Sequence, residues 1–147
     1  MKASYSKLAW MGLLHFPFMY AIMFAMVYSG DEVFHNLNTF YMALMMVAPM
    51  IFLMPLTMPD MYKDKRRNFA VYGISAAMLL VGFLLVRGQI LIGDRQFLRS
   101  MIPHHSGAVL MCEKSKIQDA EIKTLCGEII RSQTSEIEQM KRILGRL

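Results

Sequence analysis

Residues Leu37–Met58 read LNTFYMALMMVAPMIFLMPLTM, a run without a single charged side chain. Two more uncharged runs flank it, Leu8–Tyr28 and Phe69–Val86. An apolar helix rises 1.5 Å per residue, so about 20 residues cross a hydrocarbon core of ~30 Å. The third run is slightly short, and Arg87 can extend it by keeping its charged end at the interface. Composition agrees: 55% of the 147 residues are hydrophobic and 18% charged, with mean hydropathy +0.35. A soluble domain carries ~25% charge. The apolar content excludes a disordered chain, and nine glycines and two cysteines exclude collagen-like and disulfide-scaffold chains. The sequence predicts an all-α protein. Its membrane domain, residues 1–87, has three transmembrane helices at 8–28, 37–58 and 69–86 in contact with lipid.

The first run is longer than the ~7–15 apolar residues of a signal peptide, and no small-x-small site follows it. It is therefore expected to stay. Lys2 and Lys7 precede it, and Lys63, Lys65, Arg66 and Arg67 crowd the loop Pro59–Asn68. The loop Ser29–Asn36 holds Asp31 and Glu32 and no basic residue. Basic loops stay cytoplasmic. This orientation leaves the N-terminus cytoplasmic and residues 88–147 outside, on the periplasmic face of a bacterial inner membrane. The net charge of +5 is mixed with acids. It forms no single-signed face, so nucleic acid is not an expected partner.

Sixteen methionines are unusual. Met42, Met46, Met50, Met54 and Met58 recur every four residues along one helix face, with Met45 and Met61 near that row. His15, Met19, Met23 and Met26 make a second row. Thioethers are soft ligands for Cu(I), so these rows suit a copper path; as flexible apolar filler they suit packing equally well. His15 is the one ionisable side chain inside the runs, and Glu32-x-x-His35 is either a ligand pair or a solvated loop.

Residues 88–147 read as an antiparallel helical hairpin. The first helix covers about Asp94–Lys116 and starts or bends at Pro103, whose missing N–H is harmless only in a first turn. A short Ile117-Gln118 connection follows, Asp119 caps the second helix, and that helix ends near Leu144. Its apolar stripe is Ile122, Leu125, Ile129, Ile130, Ile137, Met140 and Leu144. One hairpin cannot bury both faces. The stripe therefore calls for the membrane helices or a second copy, and a homo-oligomer would complete a four-helix bundle.

The chemistry is concentrated in Met101-Ile102-Pro103-His104-His105-Ser106-Gly107-Ala108-Val109-Leu110-Met111-Cys112. Met101 shares a helix face with His104 or His105, while the two histidines diverge by ~100°. Pairing about Ile117-Gln118 sets positions 101–105 opposite 131–135, with Gln133, Glu136 and Met140 within about two turns. Imidazole with thioether suits Cu(I); a polar helix start accounts for a bare His-His pair as well. Ligating imidazoles must be neutral, so copper affinity is expected to fall below pH ~6. Cys112 and Cys126 can pair, can remain buried thiols, or Cys112 can add a soft ligand. No Ser-His-Asp order, phosphate loop or paired Glu-x-x-His helices are present. The chain is therefore not expected to be an enzyme, with redox chemistry at a bound copper left open.

Asp94-x-x-Phe97-x-x-x-Met101-x-x-His104-His105-x-x-Ala108-x-x-Met111, with Ile129-Ile130-x-x-Gln133-x-x-Glu136-Ile137-x-x-Met140, resembles a small ferritin-like, copper-associated family, number 305 of the domains of unknown function. The resemblance covers about residues 88–147. It implies copper ligands at Met101, His104, His105, Met111 and Met140; Gln133, Glu136 and Cys112 are candidates for supporting positions around them. Members of that family often carry two hairpins; this chain has one, which strengthens the expectation of an oligomer. The function expected is a membrane-anchored periplasmic Cu(I)-binding protein of copper homeostasis. The alternatives are a transport path through the methionine rows and an interaction module without metal.

Overall fold

A computed structural model describes residues 2–147, with the side chains of Lys2 and Ala3 outside the described ones. The described elements are helical: α1 (Lys2–Ile22), a 3-10 turn (Gly30–Glu32), α2 (Leu37–Thr57), α3 (Lys65–Arg87), α4 (Asp94–Lys114) and α5 (Ala120–Arg146). They form two compact units. Residues up to Met23 join Asn38–Ile90 in one, and Phe24–Leu37 join Leu91–Leu147 in the other.

In the first unit α2 and α3 are long and apolar enough to cross a membrane. α2 continues through Pro49 and Pro55 and stops at Thr57, ahead of Met58 and Pro59, where the residue preceding a proline is pushed out of the helical region. Asp64 opens α3 by accepting the Arg67 N–H at 3.2 Å. The two helices meet where α3 has no side chain: a Cβ on Gly82 would stand 2.5 Å from Met45 Cγ. About half of their large apolar side chains, among them Phe52, Leu53, Phe69, Ile74, Leu80 and Phe83, are exposed. The core helix of a soluble protein would bury such a surface.

The expected third span is corrected: two helices meet the requirement, and α1 does not. α1 starts at Lys2, in the polar segment that runs to Lys7, and ends at Ile22. The run Leu8–Tyr28 therefore contributes roughly 22 Å of helix at 1.5 Å per residue. Met23–Met26 turn over instead, and the Val27 N–H bonds the Phe24 carbonyl at 3.1 Å. The methionine row of this segment breaks there, with Met26 off the helix. α1 nevertheless lies along α2. Phe16 meets Phe40 edge to face at 5.0 Å, and the Tyr5 hydroxyl donates to Asn68 Oδ1 at 2.8 Å beside the basic loop.

In the second unit α4 and α5 pack antiparallel around Leu98, Ile102, Ile137 and Met140, with Phe34, Met101, Ile143 and Leu144 against them. Asp119 caps α5 as expected, accepting the N–H groups of Glu121 and Ile122 at 2.9 and 3.0 Å. The connector is Ser115–Asp119, longer than a two-residue turn, and it shifts the register by about one helical turn from the expected pairing. His105 stands beside Glu136, and Cys112 is disulfide-bonded to Cys126 with Cα atoms 5.2 Å apart.

The segment Phe24–Leu37 lies along α4. Pro103 sits inside α4 rather than at its start, and its missing N–H deprives the Arg99 carbonyl of its helical partner. Asn36 Nδ2 donates to that carbonyl at 3.4 Å. The Leu37 N–H, an orphan of the α2 N-terminus, donates to Gln96 Oε1 at 3.0 Å. The Tyr28 N–H donates to Ser106 Oγ at 2.7 Å.

Candidate functional site

Leu98, Ile102, Ser106 and Val109 line the buried face of α4 at helical spacing. His105, one residue off that face, points toward α5. Its side chain is 12% exposed and its Nδ1 lies 3.1 Å from Glu136 Oε2. The approach is out of line for a hydrogen bond, so this buried nitrogen has no well-aligned partner. Burial holds the His105 pKa below the ordinary imidazole value, and the neighbouring His104 pushes the same way against the attraction of Glu136. The neutral form, with a lone pair on one ring nitrogen, is thus favoured.

One turn along the groove stand two thioethers. Met140 is four residues beyond Glu136 on α5 and buried, and Met101 is four before His105 on α4 and partly buried; both belong to the core cluster. The structure thus brings together Met101, His105, Glu136 and Met140. Gln133 is partly buried on α5, three residues toward the connector.

Other expected residues fall elsewhere. His104 is exposed, its ring 6.0 Å from that of His105 at 59°. Met111 is half exposed and about 10.5 Å along the axis from His104, seven residues at 1.5 Å each. The expectation of Cys112 as a supporting ligand is corrected, because its sulfur is bonded to Cys126 and offers no thiolate. Among the described residues no three His, Cys, Asp or Glu side chains gather at metal-binding spacing. Any ion in the groove would therefore need the methionines.

In the first unit, Met42, Met46 and Met58 are nearly half exposed. Met50 and Met54 of the same row are partly buried, as is Met45 beside it. His15 is partly buried on α1.

A polar network beside the groove escaped the sequence reading. Ser106 is fully buried and donates to Glu32 Oε2 while accepting from Tyr28. Glu32 also lies 3.7 Å from Lys141 Nζ, which pairs with Asp31. Lys141 and Ser29 hold the Asp31 carboxyl below its usual pKa. Glu32 is therefore not a solvated loop residue, and its motif partner His35 meets the Phe24 ring edge to face at 5.9 Å. The available signal was a serine at position 106, where the stripe of Leu98 and Ile102 calls for an apolar residue.

The second unit is thus a disulfide-bonded helical hairpin with a His-Met-Glu groove, carried by a chain with two membrane-length helices. Residues 89–144 match the family model described as Domain of unknown function (DUF305). An uncharacterised protein of Acanthamoeba polyphaga mimivirus is 36% identical over 117 residues, 78% of this chain and 74% of that protein. That alignment is longer than the hairpin, so the similarity reaches into the apolar helices. The chain belongs to the DUF305 family. No solved structure matches it.

Proposed function

We propose that this protein is a membrane-anchored Cu(I)-binding protein that captures the ion in the groove between α4 and α5. The observation that carries the reading is the buried Nδ1 of His105, without an aligned partner and one turn from the thioethers of Met101 and Met140. A buried polar atom left unpaired is costly unless something satisfies it. Imidazole and thioether are soft donors that select monovalent copper over hard cations. Met101, His105 through Nδ1 and Met140 would hold the ion, and the Glu136 carboxylate, 3.1 Å from that nitrogen, would offset the charge of the ion.

In the membrane, α2 and α3 form a returning pair with the basic loop Pro59–Asn68 on the cytoplasmic side, and the hairpin faces outward. The bond from Tyr5 to Asn68 supports the N-terminus on the side of the basic loop. In a bacterium the hairpin side is the periplasm. Copper homeostasis and a homo-oligomer belong to this proposal.

Cu(I) titration of the full-length protein in detergent tests it. Wild type is expected to bind, His105→Ala to lose binding, and His104→Ala to change it little. Unchanged stoichiometry in His105→Ala overturns the site. No binding by wild type leaves an anchored interaction module.

A further inference from the structure

Glu32 touches both helices of the hairpin at the residues next to two candidate ligands. On α4 it accepts from Ser106, the neighbour of His105; on α5 it lies 3.7 Å from Lys141, the neighbour of Met140. Its side chain is only 14% exposed. Asp31, one residue earlier, holds the same lysine. Ser106 is also anchored from the segment backbone by the Tyr28 N–H, and Gly107 packs beneath the Met26 carbonyl. The α1–α2 segment therefore ties the two helices to each other, at Ser106 on α4 and at Lys141 on α5. A buried serine that uses both donor and acceptor is costly to displace. Its charged acceptor strengthens the tie, since hydrogen bonds to ionised partners are roughly twice as strong as neutral ones.

We propose that Glu32 and Ser106 are positioning residues of the metal groove: together they set the separation of α4 and α5 at which His105 and Met140 reach one ion. The inference rests on the Cu(I)-binding reading and assigns to the α1–α2 segment a part in it that the hairpin motif does not contain. Neither residue touches the ion. Partners that orient ligands typically change metal affinity 10–100-fold when removed.

The test uses the full chain in detergent, with Cu(I) affinity measured by competition against a chromophoric chelator and the ligand set read by X-ray absorption. Glu32→Ala and Ser106→Ala should each weaken Cu(I) about 10–100-fold. Stoichiometry should stay unchanged, and the sulfur contribution in the absorption spectrum should diminish. Glu32→Gln keeps an oxygen to accept from Ser106 and should recover part of the affinity. Val109→Ala, a buried change on α4 away from the brace, serves as the stability control and should leave affinity within about threefold. If Glu32→Ala binds as wild type does while His105→Ala does not bind, the brace is refuted and the metal site stands. If Val109→Ala weakens binding as much as Glu32→Ala, the two residues are merely structural and the proposal falls. If wild type binds no Cu(I), the metal reading itself has failed.

Discussion

Ile102 is completely enclosed, with Leu98 one turn away on α4 and Ile137 and Met140 across the groove. It packs directly under the walls that carry Met101 and His105. Ile102→Ala removes three carbons, a loss of roughly 2.4 kcal/mol at ~0.8 kcal/mol per buried methylene. A residual cavity raises the cost, because two helices tied by a disulfide and by the α1–α2 segment cannot fully collapse onto it. About 3.5 kcal/mol is expected, inside the 2–5 kcal/mol range for such truncations. Native-state hydrogen exchange by mass spectrometry reads this directly. At 1.4 kcal/mol per factor of ten, amides of α4 and α5 that exchange through opening of the hairpin should speed up about 300-fold. Ile102→Val should cost about 1 kcal/mol and accelerate them roughly fivefold. Acceleration of less than about threefold in Ile102→Ala would refute the enclosed core and leave the groove geometry without its support.

The pH dependence of the same exchange follows from His105. Its pKa is lowered in the fold from the unfolded value of 6.5. Its stabilising contribution is therefore complete above 6.5 and is lost as pH falls through the folded value, because the unfolded chain then binds more protons. His105→Gln should remove that part of the acid dependence; an unaltered acid limb would contradict the burial of the ring. Reducing the Cys112–Cys126 bond, which joins residues 14 apart in sequence, should cost about 3 kcal/mol. Thermal melts with and without a thiol reductant check this, and Cys112→Ser/Cys126→Ser should match the reduced protein. Asp119→Ala should cost about 1 kcal/mol by uncapping α5. Asp119→Asn should restore most of it, and exchange in the first turn of α5 should be the readout.

The elements were largely legible because their signals are local. Uncharged length marked α2 and α3, and Asp119 marked the start of α5. The end of α1 was not legible, since Ile22–Tyr28 holds no proline, glycine or cap that would stop a helix. It ends where Phe24–Leu37 leaves to join the second unit, a tertiary preference overriding a continuous apolar pattern. The register of α4 against α5 was missed for a related reason: assigning Ile117-Gln118 as the turn ignored that Ser115 is already extended and Asp119 not yet helical. Of the site, His105, Glu136, Met101 and Met140 could be found by helical spacing alone. Spacing could not rank them. Whether His104 or His105 faces inward depends on the angular setting of α4, and that setting is fixed by partners far away in sequence, Asn36, Leu37 and Tyr28 among them.

The make-up of the second unit bears on both the proposed topology and the proposed oligomer. Phe24–Leu37 precedes α2 and Leu91–Leu147 follows α3, yet the two segments fold as one body, joined by Tyr28 to Ser106, Asn36 to Arg99 and Lys141 to Asp31. Segments on opposite faces of a bilayer could not do so. In the proposed topology, a pair α2–α3 that enters and returns would put them on one face and the basic loop Pro59–Asn68 on the other. The same arrangement relocates the interface that a lone hairpin needs. Phe34 and the Glu32 brace already cover the half of the hairpin that contains the His105 groove. Among the exposed apolar residues of the hairpin, Met111, Ile122 and Leu125, at 51%, 48% and 52%, gather toward the connector, while Phe97 and Leu147 lie at the other end. In the proposed homo-oligomer a second hairpin would therefore pack at the connector end, away from the groove. Ile122→Glu/Leu125→Glu should then dissociate the oligomer in detergent while Cu(I) stoichiometry per chain stays the same, and loss of copper in the dissociated protein would show that the site is shared between chains.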